Sequence, residues 1–246
     1  MNKVALVTGS GAKRVGNAVA MHLAKAGYDI AVHYRSSKDE ASATVAEIQQ
    51  LGVRAEAFAA DITDEVAVKQ LVVQVHKSFG SVDVLVNCAA IWQNKRLEDV
   101  TAADVRLHFD TNALGTFLMC QHVGLLMTKQ ATGGVIVNIG DWAEVRPYLD
   151  YAAYFPSKGA VTAMTRSFAV ELAHRNPKVR VNAILPGPVM LPTDLPESEK
   201  REAIEGTLLK REGSPDHVAA AVLALVQNEF ITGVCLPVDG GRTLAG

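Results

Sequence analysis

The sequence contains few cysteines and no pattern of metal-ligating side chains. Its three cysteines, Cys88, Cys120 and Cys235, are widely spaced and match neither a disulfide framework nor a redox or metal motif. We expect them to be free thiols in a reducing cytoplasm. The seven histidines form no metal-binding pair, so we expect no bound metal.

Long apolar runs and an excess of charge are also missing. The longest apolar run, Val218–Val226, is far shorter than the ~20 residues that span a bilayer, and we expect no signal peptide. Lys and Arg number 24 against 26 Asp and Glu, a formal net charge of −2. Phosphate contacts need clustered basic residues, so this balance disfavours a nucleic-acid binder. The sequence predicts a cytoplasmic protein without membrane or nucleic-acid partners.

Short β-rich runs alternate with longer helical stretches along the whole chain. The first strand is predicted at Val4–Val7 and the last at Gly233–Val238, and residues 65–79 place apolar side chains on one helical face. Near-continuously apolar strands are typical of parallel pairing with helices on both faces. We therefore predict one α/β domain over residues 1–246. Its expected fold is a Rossmann fold, a doubly wound parallel sheet of about seven strands.

Residues 186–211 interrupt this alternation. Four of the nine prolines lie between residues 186 and 196. Proline neither pairs inside a sheet nor continues a helix. The polar segment Glu197–Arg211 follows, with weak helical character. The segment is either a loop and short helix over the mouth of a site or a plain surface excursion, and the sequence leaves both open.

A glycine-rich loop follows the first strand and opens the first helix. Residues 8–16 read Thr-Gly-Ser-Gly-Ala-Lys-Arg-Val-Gly. Glycine lets backbone approach a pyrophosphate closely, and a helix N-terminus supplies N–H groups and a positive dipole end. We predict a phosphate-binding loop that includes Gly9, Arg14 and Val15, with a ligand-free tight turn as the alternative.

The end of the second strand indicates which dinucleotide binds. NAD sites place an acidic side chain there, but residues 32–36 read Val-His-Tyr-Arg-Ser. Arg14 and Arg35 can neutralise a 2′-phosphate, and Ser36 can donate to it. We predict NADPH/NADP+ as cofactor; the alternative is that both arginines are merely solvated. Asp61, after the third strand, could accept from the adenine amino group or cap a turn.

A tyrosine and a lysine at i, i+4 carry the predicted chemistry. Tyr154 and Lys158 lie on one face of a predicted helix. A free phenol has a pKa near 10, and a cation one turn away favours the phenolate. We therefore expect Lys158 to lower the pKa of Tyr154, which then acts as acid toward a carbonyl or imine as hydride arrives.

With these motifs in place, the chain is similar to the short-chain dehydrogenase/reductase family over essentially its whole length. Further motifs that carry the resemblance are Asp61-Ile62, Asn87-Cys88-Ala89-Ala90, Asn112, Pro186-Gly187 and Asp239-Gly240-Gly241. The resemblance implies that Asn112 holds a water in a proton relay and that Lys158 also binds the nicotinamide ribose. It places the chain around Val189 along the nicotinamide carboxamide, and it implies a homotetramer.

Taken together, motifs and resemblance assign a cofactor-binding set. The predicted members are Gly9, Arg14, Val15, His33, Tyr34, Arg35, Ser36, Asp61, Ile62, Asn87, Ala89, Tyr154, Lys158, Pro186, Gly187 and Val189.

One departure from the family's pattern concerns the residue thirteen positions before Tyr154. Most members have Ser there, and this chain has Asp141. A buried carboxyl beside a tyrosine would have a raised pKa and could pass a proton to a ring nitrogen, whereas a carboxylate repels a developing oxyanion. Asp141 could also be a turn residue or N-cap.

Asp141 points to one branch, the pteridine reductases and alternative dihydrofolate reductases. The resemblance there also includes Arg14 in the loop, His33-Tyr34 followed by Arg-Ser, and Ile231-Thr232-Gly233, although the phosphate loop is one residue longer. Trp92 occupies the position of the aromatic ring that stacks on the pterin in that branch, or else belongs to the core or rim.

Three hypotheses follow. The first is an NADPH-dependent reductase of a pteridine or dihydrofolate-like ring, with Tyr154, Lys158, Asp141 and Asn112 catalytic and Trp92, Asp141 and Tyr154 contacting substrate. The second is a general carbonyl or 3-oxoacyl thioester reductase in which Asp141 is a variant residue. The third is an NADP-sensing regulatory protein without turnover, because fold alone does not prove function.

Overall fold

A single parallel sheet organises the chain. The computed structural model describes residues 2–245, and within that range the sheet has seven strands in the order β3-β2-β1-β4-β5-β6-β7. Every neighbouring pair is parallel, which confirms the predicted doubly wound α/β sheet. The strands are β1 (Val4–Thr8), β2 (Asp29–Tyr34), β3 (Ala55–Ala59), β4 (Val84–Asn87), β5 (Gly134–Ile139), β6 (Val179–Pro186) and β7 (Cys235–Val238).

Helices connect the strands and cover both faces of the sheet. Each crossover between parallel neighbours must return the chain to the same end of the sheet, and a helix does so. The helices of the described residues are α1 (Val15–Lys25), α2 (Lys38–Gln49), α3 (Glu65–Phe79), α4 (Ala102–His108), α5 (Gly115–Lys129), α6 (Tyr154–Arg175), α7 (Glu197–Glu205) and α8 (Pro215–Gln227).

The core consists of two apolar layers, one on each side of the sheet. On one side the stripe predicted for residues 65–79 is buried: Val68, Leu71 and Val75 of α3 pack with α5 and α6 residues. On the other side α1 and α8 pack over the sheet through side chains such as Leu23 and Val222. Because both faces are covered, the central strands are predominantly apolar.

The carboxyl edge of the sheet positions the candidate site. The connections from β1 and β4 leave toward opposite halves of the sheet, so a crevice opens between these two neighbours. Thr8 at the end of β1 pairs in register with Asn87 at the end of β4, and Asn87 in turn pairs with Asn138 of β5. Segments far apart in sequence therefore meet at this edge.

The helical region between β4 and β5 is interrupted by a π-helical turn at Phe109–Leu114. The side chain of Asn112 within it is 1% exposed. Asn112 Oδ1 accepts from Ile91 N at 2.8 Å, and Nδ2 donates to Ile91 O at 3.0 Å. These two hydrogen bonds tie the widened turn to the chain after β4. π-turns are frequent at functional sites, and this one separates α4 from α5.

His33 of β2 locks the glycine-rich loop to the sheet. Gly9 N donates to His33 Nδ1 at 3.1 Å, so the proton resides on Nε2, which donates to Ala60 O at 3.1 Å. The imidazole is 2% exposed, and burial lowers its pKa to about 4. The folded protein therefore needs neutral His33.

We expect acid to destabilise the fold through His33. The folded-state pKa lies below the ordinary 6.5, so this stabilisation is complete above pH 6.5 and is lost as the pH falls through about 4. The loss in the free energy of unfolding amounts to about 3 kcal/mol at most. Urea denaturation of wild type and His33→Asn between pH 7 and pH 4 checks this. The prediction is contradicted if the free energy of unfolding falls by the same amount in both proteins as the pH is lowered from 7 to 4.

Candidate active site

A cleft of about 1120 Å³ runs along the carboxyl edge from the glycine-rich loop to Tyr154. Its size suits a dinucleotide together with a small substrate. The cleft therefore brings together most residues that the sequence assigned to a site. Predicted residues that line it are Gly9, Arg14, Val15, His33, Tyr34, Arg35, Ser36, Asp61, Ile62, Ala89, Trp92, Asp141, Tyr154, Lys158, Pro186, Gly187 and Val189.

Two predicted residues, Asn87 and Asn112, lie behind the cleft wall. Asn87 Nδ2 donates to Asn138 Oδ1 at 2.8 Å, which links β4 to β5 beneath the site. Asn112 Nδ2 also donates to Ser157 Oγ at 3.0 Å, one residue before Lys158. Both amide nitrogens thus donate to protein groups, and in the described residues these side chains position the wall rather than line it.

The glycine-rich loop forms a backbone cradle. Gly9 has φ +63°, and a Cβ there would lie 2.9 Å from Ala89 Cα. A Cβ on Gly16 would lie 2.6 Å from Gly9 O, so only glycine allows α1 to start this close to the loop. Thr8 Oγ1 accepts from Cys88 N and Ala89 N at 2.9 and 3.0 Å. The N-terminal turn of α1 consequently faces the cleft.

Positive charge is available at the β2 end of the cleft. Arg14 and Arg35 line it, and neither forms an ion pair within residues 2–245. By contrast, Lys13 Nζ lies 3.0 Å from Glu47 Oε1. Asp61 Oδ1 accepts from Thr63 N at 2.9 Å, and this bond holds the pKa of Asp61 below its ordinary value. Asp61 therefore stays an acceptor at the cleft wall.

A part-buried hydrogen bond joins the two predicted acid–base groups. Tyr154 Oη donates to Asp141 Oδ2 at 2.7 Å, and Asp141 Oδ1 accepts from Ala143 N at 2.9 Å. Asp141 is therefore both the cap of the short turn Trp142–Glu144 and the partner of the phenol. Burial raises the pKa of Asp141. Burial and the neighbouring Asp141 charge raise the pKa of Tyr154 well above 10.

The pKa of Tyr154 is shifted upward, whereas its spacing with Lys158 predicts a downward shift. Lys158 Nζ donates to Ile139 O at 2.9 Å, and burial lowers the pKa of this ammonium. The loss of water around the phenol, and after it the charge of the bonded Asp141 carboxyl, dominate the pKa of Tyr154. The expectation that Lys158 gives Tyr154 a pKa below its ordinary value is therefore wrong.

Aromatic rings form the outer wall of the cleft at its Tyr154 end, which we call the substrate half. Trp92 is 42% exposed and stacks on Tyr151, with ring centroids 5.0 Å apart and planes at 15°. Tyr148 meets Tyr151 edge-on at 5.0 Å and stacks on Trp142 at 6.4 Å. Sequence reasoning missed Tyr148, Tyr151 and Trp142 as cleft residues. The density of aromatics in residues 142–155 was the available signal.

The segment 186–211 lies over the mouth of the same half, and we call it the lid segment. Met190, Leu191 and Leu195 line the cleft, as do Glu199 and Glu202 of α7. The predicted short helix is confirmed as α7 at Glu197–Glu205. The structure thus favours a cover over the site rather than a plain surface excursion.

Two features are absent from the described residues. Among residues 2–245 no cluster of three or more His, Cys, Asp or Glu side chains is arranged for a metal ion. None of the helices in the described part of the chain has the length and apolar character needed to cross a membrane.

Comparisons with known proteins agree with this geometry. A family model described as enoyl-(acyl carrier protein) reductase matches residues 11–243. The chain is 36% identical to a 3-oxoacyl-(acyl-carrier-protein) reductase, FabG, of Staphylococcus epidermidis over 245 residues, covering 98% of this chain and 99% of the relative. It is 33% identical to an L-rhamnose 1-dehydrogenase (NAD(P)(+)) of Sphingomonas sp. over 245 residues, covering 97% and 95%.

A solved structure is similar over nearly the same length. A dehydrogenase/reductase from Sinorhizobium meliloti 1021 matches with a TM-score of 0.90 and 33% identity, covering 98% of this chain and 94% of that one. These relatives include no pteridine reductase, so the match supports the broad family and not that branch. By fold, cleft and similarity, the chain belongs to the short-chain dehydrogenase/reductase family of oxidoreductases.

Proposed function

We propose that the protein is an NADPH-dependent reductase that delivers a proton from Tyr154 to the oxygen of a carbonyl substrate. The observation that carries the proposal is the Tyr154–Asp141 hydrogen bond, 2.7 Å long, in the cleft that starts at the glycine cradle. The relatives named for 3-oxoacyl thioester and sugar substrates favour a C=O bond as the reacting group.

The cleft suits a dinucleotide at its β1–β2 end. The Gly9 cradle and the start of α1 would hold the pyrophosphate, because a Cβ at Gly9 would fill the space against Ala89. Arg14 and Arg35 would hold the 2′-phosphate, since both are free of ion pairs in the described residues. When bound, the reduced dinucleotide supplies the hydride.

Tyr154 supplies the proton that balances the hydride. Its raised pKa keeps the phenol protonated at neutral pH, so an O–H is available to bond a carbonyl oxygen and to protonate it as the C–H bond forms. The carbonyl becomes an alcohol, and the phenol becomes a phenolate beside the buried Lys158 ammonium. Lys158 then stabilises that phenolate.

Asp141 acts best in its protonated form. Its pKa is raised by burial, and a neutral carboxyl can donate to the substrate oxygen instead of repelling the negative charge that develops there. In the carbonyl reaction it would replace the serine hydroxyl that most of the family has at this position. Its second role is to hold the Tyr154 ring through the same hydrogen bond.

A second candidate substrate is a pteridine or dihydrofolate-like ring. Asp141 specifically favours it, because a carboxyl beside the proton donor can exchange a proton with a ring nitrogen or accept from an amino group. The exposed Trp92 face supports a flat substrate as well. Sequence similarity favours a carbonyl substrate, and the Asp141 side chain favours a pteridine or dihydrofolate-like substrate.

We propose that the protein works in the cytoplasm as a homotetramer, as the resemblance implies. The exposed apolar side chains Phe117 of α5 and Val170 of α6, exposed 40% and 71%, support burial against other subunits. A small-molecule substrate is the expected partner of the cleft.

We expect Arg14→Ala and Arg35→Ala to reduce the preference for NADPH over NADH. Each loses a charge-assisted bond to the 2′-phosphate, which amounts to about tenfold or more in the ratio of kcat/KM values. Lys13→Ala is the matched control, because Lys13 is paired with Glu47 and its loss should leave the ratio unchanged. If the ratio of kcat/KM with NADPH to kcat/KM with NADH is the same in all three variants, Arg14 and Arg35 do not form a 2′-phosphate site.

We expect Asp141→Asn to move the alkaline dependence of alcohol oxidation to lower pH. Oxidation needs the phenolate, and removing the Asp141 charge lowers the pKa of Tyr154. The measurement is kcat/KM with NADP+ between pH 6 and pH 10.5. Glu199→Gln removes a carboxylate from the same cleft but should leave this profile unchanged. Identical profiles for wild type and Asp141→Asn would refute the coupling.

The substrate class is decided by following NADPH absorbance with a 3-oxoacyl thioester and a dihydropteridine. We expect Asp141→Ser to retain or raise thioester reduction and to lower dihydropteridine turnover about tenfold or more, because the proton-exchanging carboxyl is lost. Equal losses on both substrates would exclude a substrate-specific role of Asp141. Tight NADPH binding without turnover on either would favour a regulatory protein.

A further inference from the structure

The C-terminal turn, residues 239–245, packs against the base of the lid segment. Buried Asp239 organises the turn: its carboxylate accepts from Gly241 N at 2.9 Å and from Thr243 N at 2.7 Å. Leu209 N donates to Gly240 O at 3.1 Å, so the backbone just after α7 is bonded directly to this turn. The turn therefore provides a fixed support for the lid segment.

Arg242 extends from that support to three parts of the substrate half. Its Nη1 donates to Glu202 O in the last turn of α7 at 3.0 Å. Its guanidinium carbon lies 5.3 Å from the ring centroid of Trp142, the residue after Asp141. Its own carbonyl accepts from Arg146 Nη1 at 3.3 Å. One side chain thus joins the lid helix, the C-terminal turn and the segment that presents Asp141.

Gly206 makes room for this guanidinium. A Cβ built on Gly206 would overlap Arg242 Nη1. The backbone of Gly206, at φ −75° and ψ −7°, is in a region that alanine adopts freely. The lack of a side chain at Gly206 therefore serves the guanidinium and not the backbone conformation.

The lid helix has few other attachments. In the described structure no residue of α7 is buried, and its nine residues are too few to form a stable helix alone. A cation that bonds the last carbonyls of a helix and complements its dipole adds stability at that end. The position of α7 consequently depends on the Arg242 contact more than on a core.

We propose that Arg242 is a positioning residue that clamps α7 over the substrate half of the cleft and couples it to Trp142 beside Asp141. The clamp acts at the substrate end, and the nucleotide end at Arg14 and Arg35 is formed by other elements. Loss of the clamp therefore weakens substrate binding and leaves NADPH binding intact.

Hydrogen exchange of the backbone amides tests the clamp without any substrate. In the full chain with NADPH, we expect Arg242→Ala to speed exchange in residues 197–205 about tenfold, the effect of losing one charged hydrogen bond. Residues 215–227 of α8 are the internal reference. Gly206→Ala should produce the same acceleration, because its Cβ displaces the guanidinium while Arg242 is still present.

Two further variants separate the clamp from a general charge effect. Arg242→Lys keeps a donor but loses the planar contact with Trp142, so we expect partial rescue. Arg201→Ala removes an exposed cation of α7 that forms no ion pair within residues 2–245, and the exchange rates of this variant should equal those of wild type. Unchanged exchange in both Arg242→Ala and Gly206→Ala would overturn the proposal.

Kinetics test the substrate part, which rests on the proposed function. We expect Arg242→Ala to raise the KM of the better substrate about tenfold, with a smaller change in kcat and an unchanged Kd for NADPH. A KM equal to that of wild type, with faster exchange, would overturn the coupling of the lid to substrate. Failure of the proposed function leaves the exchange result standing, because that measurement needs no turnover.

Discussion

The site depends on one hydrogen bond, between the phenol of Tyr154 and the carboxyl of Asp141. Neither group has enough water around it to ionise easily, so burial raises the pKa of both. The phenol therefore keeps its proton at neutral pH, and its hydrogen bond to Asp141 fixes the position of the ring. Lys158, one helical turn after Tyr154, is buried and donates to Ile139 O.

The sheet makes this bond possible by collecting distant segments at its carboxyl edge. Asp141 follows β5, whereas Tyr154 starts α6, and the short capped turn at Trp142–Glu144 sets the distance between them. At the other end of the same edge, His33 and Gly9 fix the loop that opens α1. Different groups hold the two ends in place. The buried His33 imidazole bonds the loop at one end, and the Asp141 carboxyl bonds both Tyr154 and Ala143 at the other.

The substrate half is built differently from the nucleotide half. Sheet ends and the start of α1 form the nucleotide half, and these elements are anchored in both apolar layers. Aromatic rings, the lid segment and the C-terminal turn form the substrate half, where α7 has no buried side chain. Local stability follows buried contacts, so the substrate half has the greater freedom to adapt. This division suits a family that uses a common dinucleotide on varied substrates.

By itself, the sequence determined the parallel sheet, the glycine loop, the arginines near it and the Tyr154–Lys158 spacing, because hydrophobic period and short motifs are local properties. The surroundings of each group, by contrast, come from long-range folding. It turned His33 inward, placed Asn87 and Asn112 behind the wall, and set Asp141 rather than Lys158 on the phenol. It also brought Arg242 to α7 across forty positions of sequence. Burial and electrostatic environment come from such long-range contacts, and no local pattern encodes them.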